Sequence, residues 1–305
     1  MKLRKVSSLR VTTLLDNTVN SLGPLAHWGL STLLTYVDSD GAPRRVLLDT
    51  GSDPYCLAQN AKSLKIDLSG LGAVILSHGH LDHTAATVEV TKLNPGIAIH
   101  AHPSTFAERN FLSDKGERRR QSPPKGEGLA ELKEAGARLV YGTSPREVTP
   151  GIWATGEVPR MSFETIMELS GGRVLREKAG REVDDLIPDD QSVFLSLNGF
   201  GLVVVTGCAH SGALNTLSYI EELTGEKPRA LIGGTHLTQR KPDYIAKTIE
   251  DLKSYDLALL SPSHCTGFYA TAQLAAVFPR SFELNYSGRT FDFDELNKKK
   301  RLLQR

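Results

Sequence analysis

Cysteine is scarce in this sequence. Only three of its 305 residues are cysteines, Cys56, Cys208 and Cys265, and they lie far apart with no CxxC pair. This odd, scattered set argues against a disulfide framework and indicates a reducing compartment. No apolar run approaches the roughly 20 residues that cross a bilayer. The N-terminus, MKLRKVSSLRVTTLLD, lacks the long apolar core of a signal peptide. We therefore expect a cytoplasmic location.

An excess of charge of either sign is also missing. The 36 lysines and arginines balance 35 aspartates and glutamates, which leaves a net charge of +1. This balance gives no reason to expect nucleic acid or a membrane surface as the partner. We expect a small-molecule substrate instead, with a monomer and a homodimer both open. The apolar and charged contents, 40% and 23%, are typical of a globular protein.

Short apolar segments alternate with helical patterns along the chain, which is typical of an α/β architecture. The segments STLLTYV (31–37) and RRVLLDTG (44–51) flank the turn-forming spacer DSDGAP and predict a hairpin. A helix is predicted over 54–64, with Pro54 in its first turn. The basic stretch DKGERRRQSPPKGEG (114–128) is broken by prolines, and it predicts a loop or mobile flap.

Histidines end four separate apolar runs. VILS precedes His78, LVVVTGCA precedes His210, ALIGGT precedes His236 and LALLSPS precedes His264. A single histidine is usually a packed or surface residue. Loops at strand ends, however, are where scaffolds present chemically active side chains, so this recurrence indicates a site.

The HGHLDH stretch predicts a metal centre. His78 and His80 are two positions apart, so in an extended segment their side chains point the same way. Asp82 and His83 follow at the turn into a helix. Imidazoles with a carboxylate suit zinc or iron at neutral pH. A closed structural site is less favoured, because structural zinc sites are usually rich in thiolates and this stretch has no cysteine.

Two distant histidines are expected to complete the centre. His210 and His264 follow small residues at strand ends and are predicted to complete two adjacent metal positions. Two ions about 3.5–4 Å apart can hold a bridging hydroxide, which is a strong nucleophile near neutral pH. We expect two zinc ions, with iron and manganese as alternatives.

HxHxDH after a buried strand resembles the metallo-β-lactamase superfamily of hydrolases. The resemblance extends over most of the chain, through the motifs LLDN (14–17), HWGLS (27–31), LLDTG (47–51), SHGHLDHT (77–84), TGEVPR (155–160), DDQS (189–192), GCAHSGALNT (207–216), IGGTHL (232–237) and SHCTG (263–267). The set is most similar to the branch of dihydropterin-methyl-ribofuranosylaminobenzene phosphate synthases.

This resemblance implies a four-layer αββα sandwich, with residues 1–305 forming a single domain that carries a flap or insertion at about 105–130. It implies one metal held by His78, His80 and His210, and a second held by Asp82, His83 and His264. It also places Asp49 behind the ligands, where it steadies the metal loop. The alternative for Asp49 is a capping role in the turn before Gly51.

The sequence departs from the family pattern at two places. Many dinuclear members carry a bridging aspartate between the last two histidine ligands, but IGGTHL has no acid at its end. The second metal position is then expected to be weaker or to prefer another metal. His236 is predicted to serve there as a ligand or substrate contact, with ordinary packing as the alternative. Ala85 and Ala86 replace glycines common after the motif and are still small.

Further candidates come from the motifs and the flap. The predicted substrate contacts are His27, Glu157 and Arg160. Structural roles are expected for His100, His102, Cys208 and Cys265. The flap contributes basic residues that suit a phosphate-bearing substrate, namely Arg118, Arg119, Arg120 and Lys125.

The sequence therefore predicts a metal-dependent hydrolase that uses a metal-activated hydroxide on a small anionic substrate, phosphorylated or pterin-like. Asp82 is expected to orient the nucleophile as well as bind metal, and His236 to act beside it. One alternative is a lactonase or phosphodiesterase on the same scaffold. Another is a non-catalytic sensor that binds a metabolite in the metal pocket. A synthase would have to form a carbon–carbon or carbon–nitrogen bond, which no residue pattern here indicates.

Overall fold

The computed structural model describes residues 1–164 and 172–296. Its strands are β1 (Lys5–Val6), β2 (Ser8–Leu15), β3 (Ser31–Val37), β4 (Pro43–Leu48), β5 (Ala73–Ile75), β6 (Ala98–Ala101), β7 (Arg109–Ser113), β8 (Arg118–Arg120), β9 (Arg138–Tyr141), β10 (Arg146–Thr149), β11 (Ile152–Ala154), β12 (Gly172–Lys178), β13 (Arg181–Asp184), β14 (Ser192–Leu197), β15 (Gly201–Thr206), β16 (Pro228–Gly234), β17 (Leu259–Ser263) and β18 (Thr290–Asp292). Its α-helices are α1 (Pro54–Ser63), α2 (Leu81–Thr84), α3 (Thr87–Leu93), α4 (Leu129–Glu134), α5 (Ala213–Thr224), α6 (Pro242–Leu252) and α7 (Phe268–Val277).

Two large sheets carry the fold. The first has the strand order β18-β2-β3-β4-β5-β6-β9, and the second has the order β10-β11-β14-β15-β16-β17, with β1 beside β14. The predicted hairpin is confirmed as the antiparallel pair β3–β4. The predicted helix is confirmed as α1, with Pro54 in its first turn and the Asp53 side chain capping its N-terminus. None of the helices in residues 1–164 and 172–296 is long and apolar enough to cross a membrane.

Strand β15 shows how one apolar run supplies two layers of core. Successive side chains of a strand point to opposite faces. Val203 and Val205 pack between the two sheets, against side chains of the first sheet. Leu202 and Val204 face the other way, where α5, α6 and α7 cover the second sheet. Because both faces are buried, the strand is continuously apolar instead of alternating.

The outer face of the first sheet is covered in the same way. Leu57 of α1, Val90 of α3 and Leu132 of α4 pack against Val74 and Ile99 of the sheet. Helices therefore lie outside both sheets, and the apolar contact between the sheets forms the middle of the molecule. The expected four-layer αββα sandwich is confirmed.

A separate small sheet replaces the loop predicted over 114–128. Its order is β13-β12-β7-β8, so it joins the segment around residue 110 to a segment some 60 residues later in the chain. The prediction of a loop was wrong at β8 (Arg118–Arg120), which pairs with β7 across a turn at Gly116. All three side chains of β8 are exposed. The strand therefore has no apolar alternation by which the sequence could reveal it.

The carboxyl ends of the central parallel strands bring the predicted site residues together. In the first sheet, β4 leads into Asp49 and β5 leads into the loop of His78. In the second sheet, β15, β16 and β17 run parallel and lead into His210, His236 and His264. Asp49, Ala209, His236 and His264 all have positive φ, between 48° and 58°. Such conformations are costly for non-glycine residues and gather at functional sites.

Candidate metal centre

Three imidazoles form a first cluster of ligand atoms. Nε2 of His78 lies 3.0 Å from Nδ1 of His80 and 3.2 Å from Nε2 of His210. All three residues are buried. His80 and His78 come from the loop after β5, and His210 comes from the loop after β15, 132 positions from His78. The structure brings these three side chains together, as the sequence predicts.

A second cluster lies beside the first. Nε2 of His83 is 3.2 Å from Nε2 of His264, which in turn is 3.4 Å from Oδ2 of Asp82. The same Asp82 oxygen lies 3.9 Å from Nε2 of His83. Both groupings satisfy the geometry of residues that are able to hold a metal ion.

The spacing of these nitrogens fits zinc-like coordination. Bonds of about 2.0–2.1 Å in a tetrahedral arrangement place two ligand nitrogens about 3.3 Å apart. Ser77 Oγ donates to Asp49 and therefore accepts from Nδ1 of His78, at 2.9 Å, which leaves a lone pair on Nε2 of His78. Burial, and then the neighbouring His83 and His80, lower the pKa of His78 well below its usual value. Neutral imidazoles with lone pairs turned toward one another are what a cation would hold together.

Asp49 organises the loop from behind. Its Oδ2 accepts from Nδ1 of His83 at 2.6 Å and from Oγ of Ser77 at 2.6 Å, and its Oδ1 accepts from the Ser77 backbone N–H at 2.7 Å. The bond from His83 orients that ring so that its Nε2 faces the site. The bonds from Ser77 hold the hydroxyl that accepts from His78 and so orients the second ring. Carboxylates behind metal-binding histidines act in this way. The expected position of Asp49 behind the ligands is confirmed, and its turn-capping alternative is not needed.

His264 is fixed by the LLDN segment near the N-terminus. Oδ2 of Asp16 accepts from the backbone N–H of His264 at 2.9 Å, and Oδ1 of Asn17 lies 2.9 Å from Nδ1 of the same ring. Nδ1 therefore donates to the amide oxygen, and Nε2 is left for the site. The two residues are 247 positions apart, so this contact joins a segment near the N-terminus to a distant ligand of the metal centre.

The charges at the site favour a cation. Burial lowers the pKa of His83, but the Asp49 and Asp82 carboxylates outweigh it and raise that pKa to about 9. Burial raises the pKa of Asp82, but His83 and His264 outweigh it and lower that pKa. A positive charge between Asp49 and Asp82 is thus stabilised, and a metal ion supplies one without a proton.

The DDQS segment supports two of the ligand loops at once. Oδ2 of Asp189 accepts from the Gly79 backbone N–H at 2.7 Å, and Oδ2 of Asp190 accepts from the Ser211 N–H at 2.8 Å. Gly79 lies between two ligands, His78 and His80. A Cβ atom there would lie 1.8 Å from the Thr105 carbonyl oxygen, so only glycine fits.

Arg109 connects the small sheet to this support. Its side chain is fully buried, and its guanidinium donates to Asp185 at 2.6 Å and to Asp189 at 2.8 Å. It also donates to the Thr105 carbonyl at 3.0 Å. A buried charge is tolerated only when paired in this way. The small sheet and the metal loop are therefore held by one polar network.

A cavity of about 710 Å³ opens above the clusters. Its floor includes His80, Asp82, Cys208, His210, His236 and His264. Its walls include Trp28, Phe111, Arg119, Gln121, Arg173, Val174, Leu186 and Ile187. The small sheet supplies much of this wall. The walls also include Asp184 and Asp185, and a cavity of this size, with apolar side chains beside charged groups of both signs, suits a small ligand.

His236 reaches the cavity floor as predicted. Its ring lies 4.1 Å from the ring of His210, and its Nδ1 has no hydrogen-bond partner within the described part of the chain. Burial, and then Arg240, lower the pKa of His236 to about 3, so the ring is neutral. This nitrogen is free to contact a ligand, and packing stays the alternative for His236. Its catalytic role stays a prediction.

The three predicted substrate contacts do not line the cavity. His27 bonds Ser52 through Nδ1 at 2.6 Å, although its neighbour Trp28 is in the wall. Glu157 pairs with Nε2 of His102 at 2.8 Å. Arg160 donates to the Leu186 carbonyl at 2.7 Å and so holds a wall segment from behind. In each case a partner distant in sequence takes the polar atoms, and a substrate contact at these residues stays a prediction.

Among the basic flap residues, Arg119 alone lines the cavity, and its side chain is 73% exposed. Arg118 forms a two-pronged pair with Glu182 at 2.6 and 2.7 Å. Arg120 donates to the Pro123 carbonyl at 2.8 Å. Arg173, on β12, is a second basic wall residue that the sequence reasoning missed. Gly180 was the available signal for its hairpin, since the Ala179–Gly180 turn has positive φ at both residues and glycine adopts that conformation without cost.

Comparison with known proteins agrees with this geometry. The Beta-lactamase superfamily domain family matches residues 44–149, which include the HGHLDH loop. A 7,8-dihydropterin-6-methyl-4-(β-D-ribofuranosyl)-aminobenzene-5'-phosphate synthase from Methanocaldococcus jannaschii is 29% identical, over 96% of this chain and 99% of the relative. An uncharacterized protein of the same organism is 28% identical, over 76% of this chain and 83% of its own length.

Solved structures share the fold. A metal-dependent hydrolase of the β-lactamase superfamily superposes with a TM-score of 0.77 and 25% identity, over 93% of this chain and 98% of that one. A diphosphatase of the PhnP family superposes with a TM-score of 0.50 and 14% identity, over 94% and 98%, and shows likeness of fold alone. A matched sequence segment, a full-length relative and the fold thus confirm that the chain resembles the metallo-β-lactamase superfamily and is similar to its dihydropterin-type synthase branch.

Proposed function

We propose that the protein is a metal-dependent, hydrolase-type enzyme that acts on a small anionic substrate. The observation that carries this proposal is the convergence of six ligand residues from separate segments, four of which (His80, Asp82, His210 and His264) line one open cavity. Zinc is the metal we expect, at two positions, with iron or manganese as alternatives. When bound there, such an ion supplies a Lewis acid and lowers the pKa of a coordinated water.

The cavity walls support a substrate with a flat ring and a phosphate or similar anion. Trp28 and Phe111 offer apolar faces. Arg119 and Arg173 offer guanidinium groups that suit a phosphate, which would compete there with their present partners, Glu117 at 3.5 Å and Asp184 at 3.0 Å. The printed name of the Methanocaldococcus relative describes a product with both a dihydropterin ring and a ribose phosphate. A pterin-like phosphate is therefore the substrate class that we propose.

The residues at the cavity floor and behind it have different roles. The Asp82 carboxylate, 3.4 Å from Nε2 of His264, binds metal and accepts a hydrogen bond from the attacking group. His236 stays neutral because burial holds its pKa at about 3, so it contacts the substrate without adding charge. Asp49 and Asn17 keep the ligand rings oriented.

A metal-loaded substrate panel tests the proposal. Purified protein would be assayed with zinc, manganese or iron on phosphomonoesters, phosphodiesters, lactones and thioesters, including a pterin-bearing phosphate. We expect hydrolysis of a phosphate ester, and His80→Ala and Asp82→Ala are expected to lose about 10²-fold or more of it. His102→Ala is the matched control, since His102 pairs with Glu157 outside the cavity lining. No turnover of any ester, with metal bound, would contradict the hydrolase reading.

A metabolite sensor is the second candidate, and one observation favours it. The strand that ends at Gly234 has no acid to bridge two metals. If the protein is a sensor, the metal-loaded wild type would bind the pterin phosphate but would not convert it. Calorimetric titration beside the activity panel separates the two. The cytoplasmic location, the homodimer and the absence of nucleic-acid or membrane partners remain predictions of the sequence.

A further inference from the structure

The space where an acidic bridge would lie is already filled. Strand β16 ends in Gly233 and Gly234. A Cβ atom at Gly234 would lie 2.3 Å from the Gly207 carbonyl oxygen, 2.6 Å from Sγ of Cys265 and 3.1 Å from Cα of Cys208. No side chain fits at this position without moving backbone. The two cysteines therefore occupy the space beside the metal clusters.

Cys208 lies between the two clusters. Its Sγ is 3.1 Å from Nε2 of His83. It also lies within 4.8 Å of a ring nitrogen of His78, in the first cluster, and of His264, in the second. The side chain is buried and belongs to the cavity floor. The sequence prediction that Cys208 is a small packing residue does not account for this central position.

The charge balance of the two clusters favours a further negatively charged ligand. Of the six predicted ligands, Asp82 alone carries a negative charge, whereas two divalent ions would bring four positive charges. Zinc is a borderline-soft ion that accepts thiolate readily. Zinc–sulfur bonds of about 2.3 Å beside zinc–nitrogen bonds of about 2.0 Å place the two ligand atoms about 3.5 Å apart. The observed 3.1 Å between Cys208 and His83 is close to that separation.

We propose that Cys208 is a thiolate ligand that bridges the two metal positions, in place of the missing acid. The inference rests on the metal centre of the proposed function. On binding, the S–H proton leaves to solvent and a sulfur–metal bond forms, with no change in oxidation state. Burial raises the pKa of the Cys208 thiol well above its usual value, so the thiolate is formed only with the ion bound. Cys265 is not part of the proposed bridge, and its Sγ lies 3.4 Å from the Cys208 carbonyl oxygen.

Cobalt(II) substitution of the full-length protein tests this assignment. Cobalt bound through sulfur shows an intense near-ultraviolet charge-transfer band, whereas cobalt bound through nitrogen and oxygen shows only weak visible bands. We expect the intense band in the wild type and its loss in Cys208→Ser. Bound cobalt, measured by elemental analysis, should fall from about two ions per chain toward one. Cys265→Ser is the matched control, because it removes a neighbouring thiol and should keep the band.

A second variant protects the test against misfolding. Cys208→Asp restores a carboxylate at the same position, and we expect it to bind two ions without the sulfur band. Visible bands without a sulfur band in the wild type would overturn the thiolate bridge while leaving the metal enzyme intact. Loss of the band in Cys265→Ser but not in Cys208→Ser would overturn it as well. If wild-type protein binds no cobalt, zinc or manganese at all, the proposed function fails together with the bridge.

Discussion

Asp49 shows how much of the metal centre depends on one residue that never touches the metal. Its Oδ2 accepts two hydrogen bonds, from His83 and from Ser77, and Ser77 in turn accepts from His78. The carboxylate thus fixes one ligand of each cluster. The positive φ of Asp49, 58°, is a strain that this arrangement maintains.

Replacement of this carboxylate is expected to weaken metal binding. In Asp49→Asn, an NH₂ group replaces one oxygen, so the side chain can no longer accept both from the Ser77 N–H at the Oδ1 position and from His83 and the Ser77 hydroxyl at the Oδ2 position. We expect metal affinity to fall by about 10–100-fold, as for other residues that orient metal ligands. Competition with a coloured chelator measures the change. Asp53→Asn is the control, because Asp53 caps α1, where asparagine serves equally well. Equal affinity of Asp49→Asn and wild type would remove Asp49 from the metal centre.

Individual residues differ in how far the sequence reveals them. His78, His80, Asp82 and His83 lie within six positions, so their chemistry is visible as a local pattern. Cys208 approaches a ring 125 positions away, and no spacing rule predicts that contact. Arg109 looks like one more basic residue of the flap, yet Asp185 and Asp189, nearly 80 positions later, bury it.

At the scale of elements, α5 depends on a cap that comes from outside the helix. Gly212, at its N-cap position, has no side chain to accept from the first turn. Oε2 of Glu164 accepts instead from the Leu214 N–H at 2.7 Å. Burial raises the pKa of Glu164 to about 7, because its hydrogen bonds and the nearby Arg240 only partly offset the loss of water. Since α5 directly follows His210, this cap also steadies a ligand loop.

The raised pKa predicts a pH-dependent stability. Above the ordinary value of 4.5 the unfolded chain ionises Glu164, but the folded chain holds the proton up to about pH 7. The contribution of protonated Glu164 to the free energy of unfolding is therefore complete below about pH 4.5 and is lost as the pH rises to 7. Glu164→Gln has no such proton. Relative to wild type, it should gain roughly 3 kcal/mol between pH 4.5 and 8, as an order of magnitude.

Urea unfolding of both proteins across that pH range measures this difference. Glu222→Gln, an exposed change on the same helix, is the control and should run parallel to wild type. Parallel curves for Glu164→Gln and wild type would show that the folded and unfolded chains bind the proton equally, and the raised pKa of Glu164 would be wrong.

The buried strands could be predicted from the sequence, because burial requires apolar residues in a recognisable pattern. β15 is buried on both faces and reads as an apolar run, whereas all four residues of β13 are exposed and leave no periodic signal. The small sheet is held by pairing between β7 and β12, which are about 60 positions apart. The family resemblance predicted the four large layers, but the cavity wall depends on this local sheet.

Across the whole molecule, the metal centre joins the two halves of the sandwich. His78, His80, Asp82 and His83 follow the first sheet, whereas His210 and His264 follow the second. Each buried imidazole and carboxylate has lost its contact with water for this arrangement, which costs free energy unless an ion is bound. The burial that lowers the pKa of His78 and His210 records this cost.

Metal removal is therefore expected to lower the stability of the whole domain. A ligand that binds only the folded state stabilises it by RT ln(1 + [L]/Kd), about 2.7 kcal/mol at a concentration 100 times Kd. Chelation with EDTA should lower the melting temperature in calorimetry, and added zinc should restore it. The gain from zinc should shrink as pH falls below about 9, because His83, whose pKa is raised to about 9, must release a proton before it can bind the ion. His80→Ala should melt with little response to zinc, whereas His102→Ala should keep the response. Equal melting of wild type with EDTA and with zinc, at pH 7.5, would mean that no metal joins the two sheets.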